Sequence, residues 1–431
     1  MRLMCIRVRP RVLSALVCWG MLLAAQWSHA GWHVGALECT PFVEVAGIFD
    51  DNVFLASRGN PDLPVVDDIM ARVRPGIGVR YLRASSDVSL DYSTEFLYYR
   101  HQSQLDSSGR NHSIRLSGAG KVSPVVSIAL ADDVTLGTDV ARITREQALL
   151  ASLGIIPSGR EYVLNATSGQ LVYALSRRWT LTANLRYGYQ HFGSLDRAAT
   201  GDGADEGWPA TTDHLWDGTV STGYAWHRNN SVVWSVGFSY YDYRGRGISR
   251  IYSTSVGDRW RVTPRLELSV DGGASFMNER GTLDAGIAYR EERVNPLANL
   301  TVAYETAHTR WWAALSYLMG ASSGFGETVE TRAGAVGIRY TGLEDTTVGV
   351  SARISQSLST EKAGGAEGRL DVVNYVAGVS VERKITDWLA ATADYSFIDQ
   401  HAVGGSPART GETYKDNRVT LGIVASVPDI R

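Results

Sequence analysis

The stretch SDVSLDYSTEFLY, residues 86–98, decides the fold. In an extended chain successive side chains point to opposite faces. Val88, Leu90, Tyr92, Thr94, Phe96 and Tyr98 therefore share one face, and Asp87, Ser89, Asp91, Ser93, Glu95 and Leu97 share the other. Soluble strands usually run about 5–6 residues, whereas a tilted membrane-spanning strand needs about 9–11. A strand this long, with one apolar-aromatic and one polar face, fits a wall between lipid and water.

The same alternation recurs along the chain. Trp179, Leu181, Ala183, Leu185, Tyr187 and Tyr189 oppose Thr180, Thr182, Asn184, Arg186, Gly188 and Gln190. Residues 216–226, 232–240, 266–276, 348–354, 389–397 and 419–427 repeat the pattern. Short polar turns fall near residues 83–86, 122–124, 176–178, 227–230, 262–264, 305–309, 342–345 and 385–387. Longer polar connections lie between them, centred near Asn60, Asp106, Ser152, Asp202, Arg246, Thr282, Gly324, Gly365 and Gly405. Eight short turns and nine further connections join 18 strands, with 16 the other count considered. An even number puts both chain ends on the short-turn side.

Aromatic residues fall in two bands. Trp179, Trp226, Trp260, Trp311, Trp312 and Trp388 lie beside short turns, and Tyr98, Tyr189, Phe192, Tyr240, Phe276, Tyr317, Phe397 and Tyr414 lie near the opposite strand ends. Two such girdles flanking an aliphatic band are the pattern of an outer-membrane barrel. The expected fold is all-β: a transmembrane antiparallel up-and-down β-barrel of about 18 strands. Lipid offers no partner for an exposed sheet edge, so the sheet has to close. Closure pairs a first strand at about 40–54 with a last at about 414–427. The chain ends Val427-Pro428-Asp429-Ile430-Arg431, without the aromatic residue common at the end of such barrels.

Composition excludes other classes. The 431 residues are 44% hydrophobic, 20% charged and 10% aromatic, with 44 glycines. A net charge of −3 gives no footing for a nucleic-acid partner bound through bulk positive charge. Residues 1–30 read as a secretory signal peptide: Arg2, Arg7, Arg9 and Arg11 precede an apolar stretch from Val12 to Ala25, and Ser28-His29-Ala30 supplies a cleavage site. Residues 31–431 then form one barrel domain. Removing four arginines that no acidic residue in that segment offsets takes the mature chain to −7. Cys5 and Cys18 leave with the signal, and Cys39 alone cannot form an internal disulfide. The expected location is the outer membrane of a Gram-negative bacterium.

The polar faces give a list of lumen-lining positions: Arg72, Arg74, Arg80, Asp91, Glu95, Arg115, Lys121, Arg186, Glu267, Asp271, Arg339, Arg353, Asp394 and Arg418. Individually such charges hydrate and brace a wall; together they suit the passage of something polar. His101, His112, His191, His214 and His401 show no pairing that would make a catalytic set, and no HExxH, CxxC or P-loop pattern occurs, so no enzyme activity and no cofactor is expected. Asp50-Asp51-Asn52, with Asp67-Asp68 across the same hairpin, has the chemistry of a cation site, although capping a strand end is the commoner role. Residues 145–153, within the 139–159 connection, suit a short helix over the mouth or an ordinary outer loop.

The segment Pro41-Phe42-Val43-Glu44-Val45-Ala46-Gly47-Ile48-Phe49-Asp50-Asp51-Asn52-Val53-Phe54 resembles the first strand of the β-barrel porin family associated with exopolysaccharide biosynthesis operons, in which an early strand commonly ends in Asp-Asn-Val/Ile-Phe. The turn units at residues 173–183, 260–268 and 381–388 are similar to that family's recurring hairpin. The resemblance implies an outer-membrane barrel through which a secreted polysaccharide leaves the cell. It implies no catalytic residues. Its partners would be outer-membrane lipid, the polysaccharide and a separate periplasmic export protein. Two alternatives stay open: a general or substrate-selective uptake porin, and a structural or adhesive barrel whose surface loops do the work.

Overall fold

The computed structural model describes residues 32–56, 65–138, 161–193, 211–244, 247–282, 288–322, 327–359, 371–403 and 413–427. The signal-peptide segment and residues 145–153, read from sequence as a short helix or an ordinary outer loop, lie outside the described residues.

The described chain is a single closed antiparallel sheet. A three-residue strand, β1 (Trp32–Val34), folds back on the start of β2. Eighteen wall strands follow: β2 (Leu37–Asp50), β3 (Asp68–Arg83), β4 (Ser86–Tyr99), β5 (Ser107–Ser123), β6 (Val126–Gly137), β7 (Tyr162–Ala174), β8 (Trp179–Phe192), β9 (Thr211–His227), β10 (Asn230–Tyr243), β11 (Gly247–Thr263), β12 (Leu266–Thr282), β13 (Ala288–Glu305), β14 (Thr309–Ser322), β15 (Glu327–Leu343), β16 (Thr346–Ser359), β17 (Asp371–Thr386), β18 (Leu389–Ala402) and β19 (Tyr414–Ser426). Each pairs with its sequence neighbours, and β19 closes on β2 from Arg418↔Asp50 to Ser426↔Phe42. The first strand thus begins and ends a few residues earlier than the sequence suggests, because residues 51–56 leave the ladder and turn inward.

The eight short turns all fall at one end of the barrel. Many share one device: a Ser or Thr hydroxyl accepts the backbone N–H groups two and three residues on. Ser123 does this for Val125 and Val126, Ser176 for Arg178 and Trp179, Thr263 for Arg265 and Leu266, and Thr306 for His308 and Thr309. Such a hydroxyl mimics a backbone turn, which is why the Ser/Thr-x-x-apolar unit recurs in the sequence.

The outer face is apolar. Leu130, Leu185, Val220, Val256, Val294, Leu315, Val336 and Leu421 are each more than half exposed on it. Trp179, Trp226, Trp260, Trp311 and Trp388 ring the short-turn end. Eight residues separate Trp179 from Tyr187 on the outer face of β8; at about 3.3 Å per residue and a tilt of about 40° that is roughly 20 Å along the membrane normal. Tyr187 packs on Trp216, and Tyr187 and Tyr92 bond His214 and His112 through their hydroxyls, forming the upper girdle. Three aromatics assigned to the girdles from sequence belong to the interior instead. Phe192 (2% exposed) and Tyr414 (4%) pack inside the mouth, and Trp312 alternates with Trp311, so the first of the pair faces lipid and the second the lumen.

Two features narrow the extracellular half. Residues 51–56 fold over the inner wall, where Val53 joins Ile48, Met70 and Leu97, and Leu55 joins Ile398 and Tyr414. On the far side, the β13–β14 ladder, followed from its turn, stops at Ala298↔Tyr317, two residues short of Pro296. Proline has no N–H to donate and is confined to sheet edges. Beyond that point the β14–β15 hairpin turns under the wall: Met319 packs with Tyr241, Tyr243, Ile251 and Met277, and Arg293 of β13 lies 3.8 Å from Glu330 of β15. Thr328 and Val329 are fully buried there.

Candidate functional site: the inner wall

The positions read from sequence as lumen-lining fall on the strand face opposite the apolar band, and the structure sorts them into separate groups. In the largest, Arg72 and Arg74 of β3 both hold the carboxylate of Glu44 on β2, and Arg72 also approaches Glu95 of β4 at 3.9 Å. Glu44 and Glu95 are 4% and 2% exposed. Asn111 donates to Glu95 at 3.3 Å. Arg418 of β19, 3.9 Å from Asp50, stands above them, and Asp394 lies opposite Thr420 on the same face.

A second group follows the wall toward β9. Arg80 makes a two-pronged contact with Asp87 at 2.9 and 2.5 Å, the planar fork suited to a carboxylate. Arg115 donates to Asp133 at 2.6 Å and sits opposite Asp91. Arg186 is directly opposite Asp217. A recess of about 780 Å³ opens here, lined in part by Arg80, Ser117, Gln170, Asn184, Arg186 and Asp217. On β12, Asp271 accepts from Asn299 at 2.8 Å, and Glu267 faces Arg261. Lys121 sits near the short-turn end of β5, opposite Ser127. Arg339 and Arg353 stand apart on β15 and β16.

Glu44, Asp133, Asp217, Arg310 and Trp312 are inner-wall groups the sequence reading missed. None of their strands carried a residue already placed inward; the available signal was alternation against an outward apolar neighbour, Val45 beside Glu44, Val134 beside Asp133, Trp216 beside Asp217 and Trp311 between Arg310 and Trp312.

The acidic segment at the mouth works mainly as a clasp. Asn52 donates to the carbonyls of Ala56 and Lys415, both at 2.9 Å, and accepts from the N–H of Ala56 at 2.8 Å. Asp51 accepts from the backbone and side-chain nitrogens of Asn417, both at 2.6 Å. Asp50, Asp51 and Asp416 bring carboxylate oxygens within 4.8 Å of one another, so the acidic grouping includes a residue of β19. Asn52 and Asp68 stand outside it; Asp68 caps the N–H groups of Ile69, His101 and Gln102. The histidines are dispersed: His112, His191 and His214 bond girdle or strand neighbours, His101 lies at Asp68, and His401 at Asp399.

A closed wall with lipid-compatible and water-compatible faces defines an outer-membrane β-barrel. No family model and no curated protein matches this sequence. Among solved structures it is similar to Pseudomonas aeruginosa OccK5 (OpdH), at 12% identity over 91% of this chain and 100% of that one, TM-score 0.41. It is also similar to P. aeruginosa OccK2 (OpdF) in complex with glucuronate, at 11% over 91% and 98%, TM-score 0.44. The ferric citrate transporter FecA matches at 11% over 91% of this chain and 64% of that one, TM-score 0.47. The assignment above rests on the strand ladder itself.

Proposed function

We propose that this protein is an outer-membrane channel that admits small polar solutes by diffusion, after removal of residues 1–30 as a signal peptide in a Gram-negative cell. The observation that carries this reading is the charged inner wall of an 18-stranded barrel, a size at which an aqueous channel remains unless filled. The inward fold of residues 51–56 and of the β14–β15 hairpin supports small solutes over a polymer. So does the state of most inward aromatics that a sugar chain would stack on: Tyr162, Phe192, Tyr241, Tyr243 and Tyr414 are each 7% exposed or less, their faces already packed, which leaves Trp312 too isolated to form a track. Export of a polysaccharide, the reading drawn from the family resemblance, is the second reading.

Liposome swelling with solutes of graded size separates the two. Monosaccharides and small organic acids should enter while oligosaccharides are excluded. Entry of long oligosaccharides at a comparable rate would overturn the small-solute reading in favour of the conduit.

A further inference from the structure

Three arginines on neighbouring strands of the inner wall make no ion pair among the described residues. Arg310 of β14 and Arg339 of β15 stand directly opposite each other. Arg353 of β16 is opposite Ala335, four residues further toward the mouth, about 13 Å along the strand. No ion pair or hydrogen bond reaches these three side chains among the described residues, and the Nε of Arg353 is buried without a partner. Glu305, across the ladder from Arg310, makes no ion pair with it. This contrasts with Arg72, Arg74, Arg80 and Arg115, each held by an acid. Like charges directly opposite destabilise a sheet, and an arriving anion removes that cost.

Between the two arginine levels lies Trp312. It is paired with Gly337, where an added Cβ would come within 2.7 Å of the indole Nε1. Glycine at 337 therefore lets the ring lie against the wall with its other face to the lumen. Ala314, Ala335 and Ser351 beside it keep the surrounding wall low.

We propose that Arg310, Arg339 and Arg353, with Trp312 between them, form a stepping site for small ring-bearing organic anions. The carboxylate takes the guanidinium forks of Arg310 and Arg339, the ring rests on Trp312, and Arg353 receives the anion next. This rests on the channel reading and names its solute class.

The test uses the full-length folded protein in detergent, with benzoate as the probe, acetate as charge without a ring and benzyl alcohol as a ring without charge. Calorimetry should rank benzoate above acetate, with benzyl alcohol not binding. Arg339→Gln should weaken benzoate about tenfold, the loss of one charge-assisted bond; Arg339→Lys should cost less, since it keeps the charge and loses the fork. Trp312→Ala should lower benzoate to the level of acetate. Unchanged benzoate affinity in Arg339→Gln and in Arg353→Gln, each migrating as a folded barrel, would overturn the site. Benzoate binding by a protein that passes no current sinks the channel reading and leaves the site standing; current without benzoate binding does the reverse.

Discussion

Asn52 shows how one side chain can hold a barrel mouth in place. Its amide joins residues 52–56 to one another and to the start of β19, so the first and last strands are tied above the point where their ladder ends. Asn52→Ala leaves two carbonyls and one N–H without partners, and should lower stability by about 1–3 kcal/mol, read from urea unfolding in detergent. Leu55, held at φ 51° in a region costly for a non-glycine residue, depends on that clasp. Glu44 is the corresponding single point in the lumen, since Arg72 and Arg74 share it. Both arginines are partly exposed, so Glu44→Gln should cost about 1–3 kcal/mol, below the range for a fully buried pair. It should also shift the reversal potential toward anion selectivity by exposing two cations.

At the scale of elements, the turns and the strands part company in how well sequence reveals them. The eight short turns are local, four of them closed by a Ser or Thr hydroxyl two and three residues away, so all eight are visible within a residue or two from sequence alone. The inward swing of the β14–β15 hairpin is not local. It depends on Met319 reaching beneath β13 to Met277 and Ile251, and on Pro296 ending a ladder in the neighbouring hairpin. Parity alone places Met319 on the lipid side with Leu315 and Tyr317. The same limit explains Trp311-Trp312, where adjacent tryptophans near a turn look alike in sequence and only the register assigns one to each solvent. Met277, fully buried in that cluster, anchors the hairpin. Met277→Ala should cost about 2–5 kcal/mol, and single-channel recordings should show a larger conductance as the hairpin loses its hold.

At the scale of the molecule, a long chain of modest hydrophobicity is the average of two faces meeting two solvents. Thr219 and Val220 test that division because they are neighbours on β9 and point opposite ways. Val220→Arg puts a charge into the lipid near mid-wall and should destabilise by about 2–4 kcal/mol, whereas Thr219→Arg, facing water, should change stability little; urea titration of both variants in lipid vesicles makes the comparison. The wall was legible in the sequence because every strand repeats one rule. Which charges meet was not, since Glu44, Arg72 and Arg74 become neighbours only through a register the sequence does not state.

A closed wall of 18 strands encloses water. The direct measurement is single-channel conductance in planar bilayers of protein shown to be folded by its faster migration when unboiled. Discrete ohmic current steps are expected, shrinking as small organic anions are added. Folded, heat-modifiable protein that inserts and yields no steps would contradict a water-filled wall.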